Sequence, residues 1–386
     1  MSATAELGAL APAPRFLLAA VRLWLSPNAQ GELQRVAPQV DWDDCTRLAR
    51  AHSLLPLAFH NLQSAGLLSL LPEPVAQAWH LAFDHGLARA TRAHTVLADA
   101  LSALASANVV PVCLKGPVLA EECYPHPATR PMSDLDLLVR DDQRPAAERA
   151  LRGVGFRPDP AGQHFLPGDE PRDGPLAVGV ELHTDLLTGQ FGNRKLARLR
   201  VAELHQRAMP ISMDGVRCLA LDPADTLIFL GAHMTVHHGV IALIWVTDLA
   251  YFVHSRGDQV DWEQLALRAE RCGARRAVGW PLRLARDLLQ VPVPSAVLGR
   301  LGAVAQPPRA LRRFVSPEAL FLPRGQPLGD ADVVARSLFL DHLGDRFRYF
   351  AEIARGAASQ QGPASLLQLG WRFLRAGWRL LCAAGR

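Results

Sequence analysis

The sequence predicts an α+β fold, in which a small mixed-sheet core is flanked by N- and C-terminal helical regions. Apolar residues recur at every third and fourth position over long stretches at both ends of the chain, which is the helical period. Residues 108–215 instead hold short, nearly continuous apolar runs separated by Gly and Pro, as buried strands do. Hydrophobic residues at 49% and charged residues at 20% are ordinary for a globular chain of 386 residues, which excludes disordered, collagenous and coiled-coil classes.

Three regions follow: a helical part over 1–107, a core over 108–215 and a second helical part over 216–386. In the first, Leu48, Ala51, Leu54, Leu55 and Leu57 illustrate the helical spacing. At Val109 the texture changes to Val-Val-Pro-Val-Cys-Leu, a buried strand that runs into Lys115-Gly116-Pro117 and a helix. A Pro-rich loop over Tyr124–Ser133 delivers the chain into a second strand, Asp134–Val139. A helix over Asp141–Gly153 is expected next, with Asp141 as its cap, then a loop to Pro175 and a third strand over Leu176–Leu182. From Asp222 the pattern is helical again.

No stretch reaches the roughly 18 apolar residues of a membrane span, and Phe16–Leu25 lacks the cleavage site of a signal peptide. The segment Gly239–Val253 reads as a buried helix. Leu366–Leu381, with Trp371, Phe373, Leu374, Trp378 and Leu381 at helical spacing between arginines, reads as an amphipathic helix packed on the core, with binding to a membrane surface as the alternative. A net charge of +4 is too small to signal a nucleic-acid surface. The six cysteines form no C-x-x-C pair and read as reduced thiols, so a cytoplasmic location is expected.

Within the second strand Asp134 and Asp136 project from one face, roughly 6.6 Å apart along the chain. Leu135, Leu137 and Val139 on the other face anchor the strand. Two hard oxygen ligands at that spacing suit Mg²⁺; acids at a solvent-exposed strand end, capping neighbouring helices, are the alternative reading. Without a cation the two carboxylates should repel each other. A second D-x-D, Asp330 and Asp332, precedes a helical pattern and reads as a helix cap, so the motif alone is weak. The first pair gains weight from Glu181, a lone acid in an apolar strand, which shares its face with His183; a salt bridge to one of the many arginines would also explain Glu181. Only Lys115 and Lys195 interrupt a basic complement that is otherwise all Arg, which makes Lys115 at a strand exit noticeable. Further on, if one helix continues, His233 and His237 lie about 40° apart and Asp248 returns to the face of His237. Helix packing, the wall of a cleft and an H-x-x-x-H Zn²⁺ site are the three readings of His233, His237 and His238.

Leu114-Lys115-Gly116-Pro117, Tyr124-Pro125, Arg130-Pro131-Met132-Ser133-Asp134-Leu135-Asp136-Leu137-Leu138-Val139 and Glu181-Leu182-His183 together resemble the uncharacterised bacterial nucleotidyltransferase family of the polymerase-β-type superfamily. The resemblance extends to Val40-Asp41-Trp42 and Leu48-Ala49, and to Pro223-Ala224-Asp225, His233, His237, Trp245 and Asp248, so that it covers roughly residues 15–255. It implies an enzyme that moves an NMP group from an NTP, with ATP expected, to an acceptor that is a small molecule, peptide or protein. Two Mg²⁺ ions are implied on Asp134, Asp136 and Glu181, with Glu181 helping to activate the acceptor hydroxyl. The superfamily has a second small residue after its Gly, whereas this chain has Pro117. Lys115, Gly116, Arg130 and Ser133 are the expected nucleotide-binding residues, and His183, His237 and Asp248 the expected cleft wall. A D-x-D nucleotide-sugar glycosyltransferase and a non-catalytic nucleotide-binding module are the alternatives.

Overall fold

The computed structural model describes residues 8–26, 28–159, 164–168, 174–187, 198–238, 242–304, 307, 311–312, 315–321, 334, 336–361 and 375. Helices α1 (Pro12–Arg22), α2 (Ala29–Val36), α3 (Trp42–Ala51), α4 (Leu55–Ser64) and the 34-residue α5 (Glu73–Ser106) form the N-terminal part. The core contains β1 (Val112–Cys113), α6 (Gly116–Glu122), β2 (Asp134–Leu138), α7 (Arg144–Gly153), β3 (Phe156–Pro158), β4 (His164–Pro167), β5 (Gly179–His183), α8 (Val201–Arg207), β6 (Met209–Met213) and β7 (Val216–Ala220). Then come α9 (Pro223–Ala232), a π-helical turn over His233–His238, α10 (Leu243–Arg256), α11 (Trp262–Arg271), α12 (Arg275–Leu289), α13 (Ser295–Arg300), α14 (Pro317–Phe321) and α15 (Leu343–Gln361). The second D-x-D, Lys195, Cys382 and, apart from Arg375, the C-terminal Leu366–Leu381 lie outside the described residues.

One mixed sheet holds all seven strands in the order β3-β4-β5-β2-β1-β7-β6. β2 is parallel to β5 and β1 to β7, while the other pairs are antiparallel. One sheet face presents Leu135, Leu137, Val139, Val180 and Leu182 to the C-terminal half of α5, through Val96, Leu97, Leu101 and Leu104, and to Ala147 and Leu151 of α7. On the other side Val112, Leu114 and Leu138 join a core that runs from Leu10 in the N-terminal part to Tyr349 in α15. Period-2 alternation therefore sends the apolar set of β2 into one core and leaves its acids facing the opposite side.

Several expected elements shift. The cap expected at Asp141 is absent: α7 begins at Arg144 behind Gln143, after a turn in which the Gln143 and Arg144 amides donate to the Arg140 carbonyl. The third strand begins at Gly179 rather than Leu176, because residues 174–178 are a turn and its exit. The loop expected up to Pro175 contains β3 and β4. No single helix joins His237 to Asp248, since α10 starts afresh after an extended Ala242.

Candidate active site

The parallel register sets Asp134 beside Gly179 and Asp136 beside Glu181, and the antiparallel register of β4 sets His164 beside Glu181. Residues opposite each other in a ladder share a face, so three strands carry His164, Glu181 and Asp136 in one row. Asp136 is 2% exposed and joins two basic side chains: Lys115 Nζ lies 2.9 Å from its Oδ2, and His183 Nε2 donates to its Oδ1 at 2.8 Å. The same His183 nitrogen is 3.6 Å from Glu181 Oε1, while Glu181 Oε2 is 3.3 Å from His164 Nε2. His164 Nδ1 in turn lies 3.3 Å from Asp159. On the other flank Lys115 Nζ donates to His233 Nε2 at 3.1 Å, and His238 Nε2 stands 3.2 Å beyond. Acids and bases thus alternate from Asp159 to Lys115 along a chain that continues through His233 to His238.

Lys115 is held in an unusual backbone state, φ 32° and ψ −96°, at the N-cap of α6. A non-Gly residue there is strained by about 1–3 kcal/mol, which the surrounding contacts must hold in place. Gly116 follows because a Cβ at that position would come within 2.9 Å of the Met132 sulfur and 3.2 Å of Arg130 Nη1. Pro117 occupies the first turn of α6, where its missing N–H costs no helical bond.

The charges are unevenly matched. Burial pushes the Asp134 carboxyl up and the neighbouring Asp136 pushes it further, with Lys115 only partly compensating. Burial also acts to raise Asp136, but the Lys115 ammonium and the His183 hydrogen bond outweigh it and hold this carboxyl below its ordinary range. Glu181 is likewise lowered: burial opposes, and the bond from His164 and the charge of His183 win. His183 is raised, because its bond to Asp136 overcomes burial, whereas burial and then Lys115 hold His233 well below the usual imidazole value. His233 is accordingly the neutral acceptor for a charged Lys115.

Of the expected site residues, Lys115, Asp134, Asp136, Glu181 and His183 converge. Ser133 stands beside them, its Oγ 3.4 Å from Asp134 Oδ1. Arg130 is committed elsewhere: its Nε and Nη2 donate to the two oxygens of Asp248 at 2.8 Å each, and the Tyr124 hydroxyl donates to Asp248 Oδ1 at 2.7 Å. Only Arg130 Nη1, against Gly116, points toward the strand exit. Asp248, expected on a cleft wall, is instead 1% exposed beneath the site, since it neutralises the buried Arg130. His237 stacks on His233 with ring centroids 5.3 Å apart, and His238 stacks on Trp245 at 4.4 Å. Sequence reading missed His164, Asp159 and Arg89. The four residues of β4 give too short a run to have announced the first as a strand residue.

A cavity of about 380 Å³ opens beside the acids, lined by Arg89, Ser133, Asp134, His164, Leu166 and Ala177, among others. Among the described residues, the group able to surround a metal ion is Asp136, Glu181 and His183, whose donor atoms lie within 4.8 Å of one another. Two hard carboxylates at that separation fit a divalent cation such as Mg²⁺, and Asp134 supplies a third carboxylate two residues away on the same strand face. The family model described as "Uncharacterised nucleotidyltransferase" matches residues 38–290, which include the whole sheet as well as His233, His237, His238 and Trp245. No curated protein and no solved structure matches the chain.

Proposed function

The chain belongs to the uncharacterised nucleotidyltransferase family, and from that premise we propose that it transfers an NMP group from an NTP to an acceptor hydroxyl, with divalent cations as cofactor. The observation that carries this reading is the register pairing of Asp136 with Glu181, with Lys115 on the β1 flank of that pair.

Asp136, Glu181 and Asp134 would hold the cations, with His183 beside the first two, and their carboxylate oxygens suit Mg²⁺. Bound there, a divalent cation supplies Lewis-acid neutralisation of phosphate charge. The residues of the chain do the rest. Lys115, fixed by Asp136 and His233, presents an ammonium at the strand exit where the β- and γ-phosphates would lie, in place of the amide that Pro117 cannot offer. Glu181, held ionised by His164 and His183, accepts the proton of the acceptor hydroxyl. The acceptor oxygen then bonds to the α-phosphorus, the bond from that phosphorus to the bridging oxygen breaks, and pyrophosphate leaves with the electron pair. A nucleotide-sugar transferase would use a D-x-D pair but gives Glu181, opposite Asp136, no role.

The test is incubation with each α-labelled NTP and Mg²⁺, reading pyrophosphate release and label transfer into small-molecule and protein fractions. Asp136→Asn and Glu181→Gln should each lower transfer by orders of magnitude. Lys115→Met should weaken Mg–NTP binding by about 1.5–3 kcal/mol, the range of a hydrogen bond to a charged group. Full transfer in either carboxylate variant would sink the reading.

A further inference from the structure

Resting on that reading, we propose that the cavity beside Asp134 is the acceptor pocket, and that it takes a small hydroxyl compound bearing a carboxylate or phosphate group. The sheet order separates two flanks of the acidic row. β1 lies on one side of β2 and carries Lys115 at its exit, so phosphates of the donor nucleotide belong on that side. β5 and β4 lie on the other side, and there the cavity is lined by Asp134, His164 and Ser133. His164 is the partner of Glu181, so a molecule in this cavity touches the residue that holds the proposed proton acceptor. The two flanks meet at Asp134 and Asp136, where the transferred phosphorus must sit between donor and acceptor oxygens.

The lining also orders the occupant. Arg89 reaches in from α5, and its Nη2 donates to the Pro175 carbonyl at 2.6 Å. A guanidinium held by one nitrogen still offers a flat edge of donors, the geometry that matches carboxylate or phosphate oxygens. Asp134 and His164 of the same lining belong to the acidic row, where the cations and the transferred phosphorus would sit. A molecule with an anionic group therefore enters with that group toward Arg89 and its hydroxyl toward Asp134, His164 and the transferred phosphorus. The volume, about 380 Å³, falls in the range of small-molecule pockets. Leu166 and Ala177 give it an apolar patch that a sugar ring or short carbon chain covers.

The experiment uses the full chain with α-labelled ATP and Mg²⁺ and four acceptor panels at millimolar concentration: hydroxycarboxylic acids, sugar phosphates, uncharged polyols, and amino sugars. Label is expected on a member of one of the first two panels, and which panel accepts it tells a carboxylate from a phosphate. Arg89→Met should raise KM for that acceptor at least tenfold, and Ala177→Trp, which fills the cavity, should do the same. Neither should move the dissociation constant of Mg–ATP more than twofold, measured by calorimetry with an α,β-methylene analogue. Transfer only to polyols, amino sugars or protein, or an unchanged acceptor KM in both variants, would overturn the pocket while leaving nucleotidyl transfer intact. Absence of Mg–ATP binding by the wild-type chain would instead overturn the reading on which the pocket rests.

Discussion

Two aspartates of one strand face carry opposite electrostatic histories. Asp136 lies between Lys115 and His183 and is stabilised as an anion, whereas Asp134 is raised by burial and by Asp136. The repulsion expected from the sequence therefore shows as a raised carboxyl at Asp134, while Lys115 and His183 outweigh it at Asp136. In the cation-free protein Asp134→Asn should leave denaturant stability unchanged or raise it. Asp136→Asn should lower it by about 3 kcal/mol, the scale of breaking a buried ion pair by deleting one partner. Urea titrations of the two variants check this, and equal effects would refute it. His233 makes a second, pH-dependent case. Its neighbours are Lys115, His237, His238, Phe229 and Trp245, and its folded-state pKa is depressed. A depressed value means the unfolded chain binds the proton first. The stability held above about pH 6.5 is then lost as pH falls toward the folded value, at up to about 1.4 kcal/mol per unit. Between pH 7.5 and 5.5 the wild type should lose about 1 kcal/mol more than His233→Gln; parallel losses would show that the folded protein protonates His233 as readily as the unfolded chain does.

At the scale of elements, the loop between α6 and β2 is tied to α10 by one buried triad. Arg130 and Tyr124 come from the loop, and Asp248 from the helix. Asp248→Leu alone strands the Arg130 guanidinium in the core and should cost about 3–5 kcal/mol, while Asp248→Leu combined with Arg130→Met should recover most of that. A double-mutant cycle on chemical denaturation measures the coupling, and additive losses would contradict it. Sequence reading found both partners and gave them other roles, because 118 positions separate them and no local pattern announces the pair. The strands divide on similar grounds. β2 and β5 are central and show dense apolar runs, so they were legible along with the acids they carry. β6 and β7 pair antiparallel at the sheet edge, and in them half-exposed residues dilute the pattern. The hairpin signal was nonetheless present in Asp214-Gly215, both at positive φ, the residues a type I′ turn demands. His164 was lost with β4, since a strand of four residues after a Gly-rich segment looks like more loop.

The molecule as a whole places its acidic row where two cores meet. One core lies between the sheet and the C-terminal half of α5, and the other joins the N-terminal helices, the second sheet face and α9–α12. Lys115 is the physical junction: its backbone leaves β1, its ammonium reaches Asp136 on the sheet, and its hydrogen bond ends on His233 beyond α9. The strained backbone at Lys115 persists only if both sides hold it, which makes the site a product of all three sequence regions rather than of the 108–215 segment that carries its acids. A fragment limited to 108–215 loses strand β7, which pairs with β1 and β6, together with Val96, Leu97, Leu101 and Leu104 from one sheet face and, from the other, the helices packed against Val112, Leu114 and Leu138. That leaves a sheet apolar on both sides in water, with too little buried surface to offset chain entropy. The fragment should therefore show no cooperative thermal transition and should bind a hydrophobic dye, whereas residues 8–304 should melt cooperatively and keep cation-dependent nucleotide binding. Calorimetry on the two fragments decides it: a sharp transition in 108–215 would mean that the fold of this segment needs neither β7 nor the flanking helices.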